Sequence, residues 1–289
     1  MREILIISGK GGTGKTSLTA AFAHISGSKI ICDLDVDTPD LHLLLQPDHV
    51  KEVEFHAGNE AKIDPAGCIS YGICEDMCRY NAIHQKNDTF VVDPIRCEGC
   101  KVCVTFCPEQ TISFPEKHCG TWYVSSTRFG TMVHAQLFPG EENSGRLVSL
   151  LKNEAKKLAK EKNIDCILSD GAPGIGCPVI SSLSGTDFVV LVTEPTPSGR
   201  HDLERVAALC EHFRLRAGVI VNKADLNVDE TENIERFCRE KEYPLLAKLP
   251  HDTLVTEAMV KGLAVTECGE SVIGTEIRSA WEKIEQLTR

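Results

Sequence analysis

The stretch Glu3–Thr16, EILIISGKGGTGKT, decides the fold. A β-branched run, EILII (Glu3–Ile7), leads into Gly9-Lys10-Gly11-Gly12-Thr13-Gly14-Lys15-Thr16, and Ser17–Ile25 then has helical spacing. The middle octet matches G-x-x-x-x-G-K-[ST] in the strand–loop–helix context that the motif requires. Glycines let successive backbone N–H groups turn inward on phosphates, and the helix start adds the positive end of its dipole. The pattern assigns Lys15 to the β- and γ-phosphates of a nucleotide and the Thr16 hydroxyl to Mg²⁺. Gly11, Gly12, Thr13, Gly14 and Ser17 complete the expected nucleotide-binding set. A Gly-rich turn that binds nothing is the bland alternative, and the full pattern in this context argues against it.

Outward from the loop, KIICDLD (Lys29–Asp35) reads as a second strand, which opens a βαβ unit. Strand-like runs follow at Asp165–Ser169, Asp187–Val192, Arg216–Val221 and Pro244–Leu249. Helical spacing lies between them at Ser144–Lys162, His201–Phe213 and Val228–Lys241. The expected fold is α/β, with a mostly parallel sheet and helices on both faces. Residues 51–117 break this rhythm with short segments and many cysteines. The first 45 or so residues are too few to bury a core of their own, so the expected organisation is one discontinuous domain, 1–50 and 118–289, interrupted by a small α+β insert.

Composition narrows the function classes. Thirty-one Lys+Arg against 42 Asp+Glu give a net charge of −11, which argues against a nucleic-acid partner. The apolar runs are far shorter than the ~20 residues that span a bilayer, and the N-terminus shows no apolar signal core, so a cytoplasmic location without membrane insertion is expected. Ile277, Trp281, Ile284 and Leu287 share one face of a terminal helix whose polar face mixes both signs, which suits packing on the sheet better than a membrane surface.

Seven of the 14 cysteines lie between Cys68 and Cys107. In a reducing compartment such a cluster points to metal rather than disulfides. Cys97-x2-Cys100-x2-Cys103-x3-Cys107-Pro108 is a bacterial ferredoxin run, in which three thiolates grip one cluster and the fourth serves the other. Zinc also suits C-x2-C pairs, but the 2, 2, 3 spacing followed by Pro, with a similar run before it, favours iron–sulfur. That earlier run is Cys68-x5-Cys74-x3-Cys78, and in register with the second it carries Tyr71 where a ligand is due. Pairing across the repeat gives Cys97, Cys100, Cys103 and Cys78 one complete site, expected to hold 4Fe–4S. The other site has Cys68, Cys74 and Cys107. It is expected to hold an atypical cluster, either 3Fe–4S or a 4Fe–4S lacking a Cys ligand at Tyr71, with Cys119 a nearby substitute and an apolar half-site the plain alternative. Cys177, in GIGCPVI, reads as a packed thiol, with a redox-active role or a place at the dimer axis as the alternatives.

The early lysine of K-G-G-x-G-K-T, Lys10, resembles the deviant phosphate loop of the MinD/ParA/Mrp family of P-loop ATPases. The resemblance continues through Asp33-Leu34-Asp35, Asp170-Gly171-Ala172-Pro173-Gly174 and Asn222-Lys223-Ala224-Asp225, and covers essentially the whole chain. It implies an ATP- and ADP-binding dimer in which Lys10 reaches the partner's nucleotide and Lys10 and Lys15 stabilise the transferred phosphoryl. Asp35 would position the attacking water, Asp170 would hold the Mg²⁺ shell, and the Gly174 N–H would sense the γ-phosphate. Asn222 and Asp225 would recognise the base, with Pro250-His251-Asp252 a weaker edge loop. With the insert, the chain is similar to family members that carry a ferredoxin domain. The implied function is slow ATP hydrolysis coupled to electron transfer, or to metal or iron–sulfur cofactor handling for a client or redox partner. The implied assembly is a homodimer or a heterodimer with a homologous ATPase. The competing function is a redox-sensing regulatory switch of the ParA/MinD kind.

Overall fold

The computed structural model describes residues 1–141 and 144–289. The chain forms two compact units, one of Met1–Val53, Trp122–Gln136 and Ser144–Arg289, the other of Glu54–Thr121 and Leu137–Asn143. The smaller unit thus starts three residues later than the expected insert and runs past its expected end at 117, taking in a second segment that cysteine content could not mark.

The larger unit is built on a nine-stranded sheet. Its order is Leu245–Lys248, Arg216–Val221, Phe188–Thr193, Arg2–Ser8, Cys166–Pro173, Ile30–Asp33, Gly130–Leu137, Glu116–Thr127 and Asp48–Asn59, and the unit boundary falls within the last three strands. The first seven strands are paired in parallel throughout. Parallel strands covered on both faces read as continuous apolar runs, and Ile4, Leu5, Ile6 and Ile7 are all fully buried. The strand at Cys166 runs on through Pro173, four residues beyond the run read from sequence, because Asp170 pairs with both Asp33 and Ile6 and, after a register shift, Pro173 pairs with Ser8. Conversely, the strand at Ile30 stops at Asp33, so Asp35 belongs to the loop that follows.

Helix Lys15–Ile25 buries Leu18 through Ala23. The terminal helix Val272–Leu287 buries Ile277, Trp281 and Ile284, and Trp281 packs tilted on Phe22 at 5.3 Å. Helices Pro197–His212 and Val228–Glu240 match the expected periodic segments, the former beginning four residues early at a Pro whose N-cap, Thr196, accepts from the Gly199 N–H. Helix Thr253–Val260 and the three strands at Asp48, Glu116 and Gly130 were not expected. No helix among the described residues is long and apolar enough to cross a membrane.

The smaller unit repeats itself. Ile83–Lys86 pairs antiparallel with Thr89–Val92, and Lys62–Ile63 with Ile112–Ser113. Each cysteine run carries a short helix, Ile73–Asp76 or Val102–Phe106, entered through a left-handed residue, Gly72 or Lys101. Asp64 and Asp93 each accept from the backbone two residues on, and their carbonyls accept the N–H groups of Cys68 and Cys97. Ser70 and Gly99 share the same φ of 59°. At Gly99 a Cβ would stand 2.4 Å from the Asn59 carbonyl oxygen, so glycine is required there.

Candidate nucleotide site and cysteine cavities

At the C-terminal ends of the parallel strands lies a cavity of about 360 Å³. Its lining includes Gly11, Gly12, Thr13, Gly14, Lys15, Thr16, Ser17 and Asp35. The loop needs its glycines: Gly12 and Gly14 have φ of 79° and 87°, and a Cβ on Gly14 would meet Asn222 Nδ2 at 2.4 Å. Lys15 Nζ is 3.0 Å from Asp170 Oδ2 and 3.6 Å from Asp35 Oδ2. Thr16 Oγ1 donates to Asp170 Oδ2 at 2.8 Å, while Thr19 Oγ1 donates to its other oxygen at 2.7 Å. Thr19 was not singled out from sequence; its position one helical turn past Lys15 was the available signal.

The electrostatics are those of a crowded acidic pocket around one ammonium. Burial works against a charged Lys15, but Asp170, Asp35 and Asp33 together hold its pKa above the ordinary lysine value. Burial, then Asp170, pushes Asp33 well above the carboxylate range, and Asp33 Oδ2 has no hydrogen-bond partner among the described residues. Burial likewise raises Asp35, against the pull of Lys15 and a 3.2 Å hydrogen bond from Thr38. Such a constellation could hold a cation that shares the carboxylates, with Asp170 and Thr16 as the residues able to face it.

Of the other predicted residues, Lys10, Gly174 and Asp225 do not line the cavity. Lys10 Nζ is 2.6 Å from Glu194 Oε1 and 3.4 Å from the hydroxyls of Thr196 and Ser198. The Gly174 N–H donates to the Ser8 carbonyl at 2.8 Å. Asn222 lines the cavity, with one Nδ2–H donated to the Thr13 carbonyl, so it also ties the loop to its strand end. Asp225 is exposed and accepts the His251 N–H at 2.6 Å, fixing the Pro250–Asp252 loop that lines the cavity beside Val255, Thr256 and Met259. Those last three sit on the unexpected helix Thr253–Val260 and had no motif to mark them.

In the smaller unit the cysteines separate into two groups. Cys78, Cys97, Cys100 and Cys103 line one cavity, and Cys68, Cys74 and Cys107 another together with Tyr71. Cys78 is thus drawn to the thiols of the other run. Among the described residues no three Cys, His, Asp or Glu side chains converge on a point that would hold a single metal ion. Cys119 lines neither cavity: it is fully buried and donates to the Ala57 carbonyl at 3.1 Å. Cys177, expected to be packed, is exposed because it begins helix Cys177–Leu183 directly after a glycine loop.

Fold and loop together define an α/β protein of the P-loop nucleotide-binding class. The family described as CobQ/CobB/MinD/ParA nucleotide binding domain (CbiA) matches residues 4–265, and the chain belongs to that family. It is similar over 99% of its length to the uncharacterized protein MJ0578 of Methanocaldococcus jannaschii, at 30% identity over 292 residues and 97% of that protein. The septum site-determining protein MinD of Pyrococcus horikoshii, complexed with Mg-ADP, shares the fold at a TM-score of 0.58 and 20% identity, over 99% of this chain and 96% of that one. A ferredoxin-like protein in the nif region of Sinorhizobium fredii is 38% identical over 53 residues, 16% of this chain and 83% of that protein.

Proposed function

We propose that this chain is a Mg-ATP-hydrolysing dimeric ATPase with a deviant phosphate loop and an inserted ferredoxin-like domain. In this reading its nucleotide cycle is coupled to electron transfer, or to metal or iron–sulfur cofactor handling, for a partner protein. The observation that carries the reading is the joining of Cys78 to Cys97, Cys100 and Cys103 around one cavity, in a chain whose other unit holds the glycine loop with Lys15, Thr16 and Asp170 in contact. A ferredoxin exchanges one ligand between two runs in this way. The thiols fit iron–sulfur clusters, one site with four and one with three. Such clusters supply reversible one-electron storage when bound.

At the nucleotide site, the loop N–H groups and Lys15 would take the phosphates, and Thr16 and Asp170 would hold Mg²⁺, which neutralises phosphate charge. Thr19 fixes the second oxygen of Asp170. Asp35 would orient water, and the burial that raises its pKa makes it a stronger hydrogen-bond acceptor. Lys10 would leave Glu194 to meet the nucleotide of the other protomer. The Mg-ADP complex of the Pyrococcus horikoshii MinD supports a nucleotide of that kind here.

Anaerobically purified protein should bind iron and sulfide and hydrolyse ATP slowly, and Lys15→Ala should lose hydrolysis with its iron retained. A chain that neither turns over ATP nor takes up iron would overturn the reading. A redox-sensing switch is the second reading. It is favoured if oxidising the clusters alters partner binding while a hydrolysis-deficient Asp35→Asn variant binds that partner normally.

A further inference from the structure

The two cysteine cavities are related by the internal repeat yet differ at one corner. In the register Asp64/Asp93, Cys68/Cys97, Cys74/Cys103 and Cys78/Cys107, the counterpart of Cys100 is Tyr71. Tyr71 lines the three-thiol cavity and is 61% exposed, so its wall reaches the surface at the corner where the thiol is missing. The other oxygens there are occupied or turned outward. Ser70 Oγ donates to the Asp88 carbonyl at 2.5 Å, Thr111 Oγ1 lies 3.6 Å from Cys107 Sγ, and Glu109 is exposed. Cys119 hydrogen-bonds elsewhere.

The chemistry of the lining is as informative as the missing thiol. Ile69 and Ile73 flank Tyr71, 56% and 36% exposed, and form an apolar collar. Among the described residues no Lys, Arg or His lines this cavity.

We infer that the three-thiol cavity is a binding site for an external thiolate, which completes the coordination of a four-iron cluster at the corner occupied by Tyr71 in the repeat. The inference rests on the iron–sulfur reading proposed above. A polycarboxylate would bring several negative charges to a site without a cation to meet them, at a desolvation cost that grows with each charge. A thiolate brings one, delocalised on a soft sulfur that matches the iron, and its organic part lies against the collar. The exchange balances without redox change: the thiol S–H proton passes to solvent, an Fe–S bond forms, and a solvent-derived ligand leaves the iron.

The test uses the full chain, reconstituted anaerobically in thiol-free buffer and reduced, with EPR as readout. Addition of 2-mercaptoethanol should shift one of the two cluster signals and leave the other unmoved, while citrate shifts neither. Tyr71→Phe should start from the wild-type spectrum and keep the full response; Tyr71→Cys should lose it. A three-iron signal in the oxidised protein that survives added ferrous iron would overturn the inference. So would a spectrum already altered in Tyr71→Phe, which would make the phenol the ligand, a response to citrate, or the absence of any thiol shift. Failure to take up iron at all would instead sink the underlying iron–sulfur reading, and the two failures are told apart by iron content alone.

Discussion

Lys10 and Glu194 form an ion pair of 2.6 Å at the mouth of the phosphate loop, and the second oxygen of the same carboxylate lies 3.3 Å from Lys223. Burial alone would raise the Glu194 pKa, but hydrogen bonds from both lysines bring it below the ordinary value. The carboxylate is therefore charged and holds Lys10 within its own protomer. If Lys10 acts across a dimer, closure must break this pair. Glu194→Gln should lower the ATP concentration that half-saturates dimerisation by about two- to fivefold, the range expected for a partly exposed ion pair. Light scattering over an ATP titration measures this, and an unchanged or higher midpoint would exclude a restraining role for Glu194.

Thr19 is a buried hydroxyl 2.7 Å from Asp170 Oδ1 and 3.1 Å from the Lys15 carbonyl, the shorter contact being to the carboxylate. A hydrogen bond to a charged group contributes about 1.5–3 kcal/mol. Thr19→Val keeps the shape and removes the donor, so Mg-ATP affinity should fall by about 10- to 100-fold, with Thr19→Ser restoring most of it. Calorimetric titration in excess Mg²⁺ against the same titration in EDTA reads the effect. An equal loss in both would place Thr19 in loop packing instead of in the metal shell.

Asp33 gives a pH signature. An acid whose folded pKa lies above its unfolded value binds its proton more readily when folded. The nucleotide-free chain should therefore lose stability as pH rises from the ordinary carboxylate range through the raised pKa of Asp33. Asp33→Asn can keep the acceptor that takes the Asp35 N–H at 3.1 Å and removes the buried charge. It should stabilise the apo protein by about 1–3 kcal/mol at about pH 8, and the gain should shrink as pH falls and Asp33 itself becomes neutral. Thermal melts across that range check it; a gain independent of pH would mean that the charge is not the cause.

The contrast between what the residues announced and what they hid follows from how local each signal is. The phosphate loop and the cysteine repeat lie within short runs of chain with fixed spacing, so Lys15, Thr16 and the grouping of Cys78 with the second run could be read directly. The strands at Asp48, Glu116 and Gly130 carry mixed burial, with charged residues such as Lys51 and Glu52 exposed on the first, so no clean period marks them. Two of them neighbour each other locally, but their place in the sheet is set by pairing with distant chain, Gly130–Leu137 with Ile30–Asp33 and Glu116–Thr127 with Asp48–Asn59. Helix Thr253–Val260 buries only Ala258, and it brings Val255, Thr256 and Met259 to the nucleotide cavity just after the loop in which His251 N–H donates to Asp225. Lys10 had a motif, but its cis partner Glu194 is more than 180 residues away and no spacing rule reaches it.

The grouping of thiols gives the last prediction, which separates ligands from bystanders. Cys78 belongs by sequence to the first run but lines the cavity of Cys97, Cys100 and Cys103, whereas Cys107 belongs to the second run and lines the cavity of Cys68 and Cys74. Cys78→Ser should therefore disturb the four-thiol site and cost about half the iron, and Cys107→Ser should remove the other signal while the four-thiol spectrum persists. Cys119→Ser should hold as much iron as the wild type, because its thiol is fully buried, donates to Ala57 O and faces neither cavity. Iron and sulfide counts with EPR on the three variants decide the matter. If Cys107→Ser instead erased the four-thiol signal, ligands would be grouped by run rather than exchanged between runs, and the pairing of the two halves of the repeat would have to be redrawn.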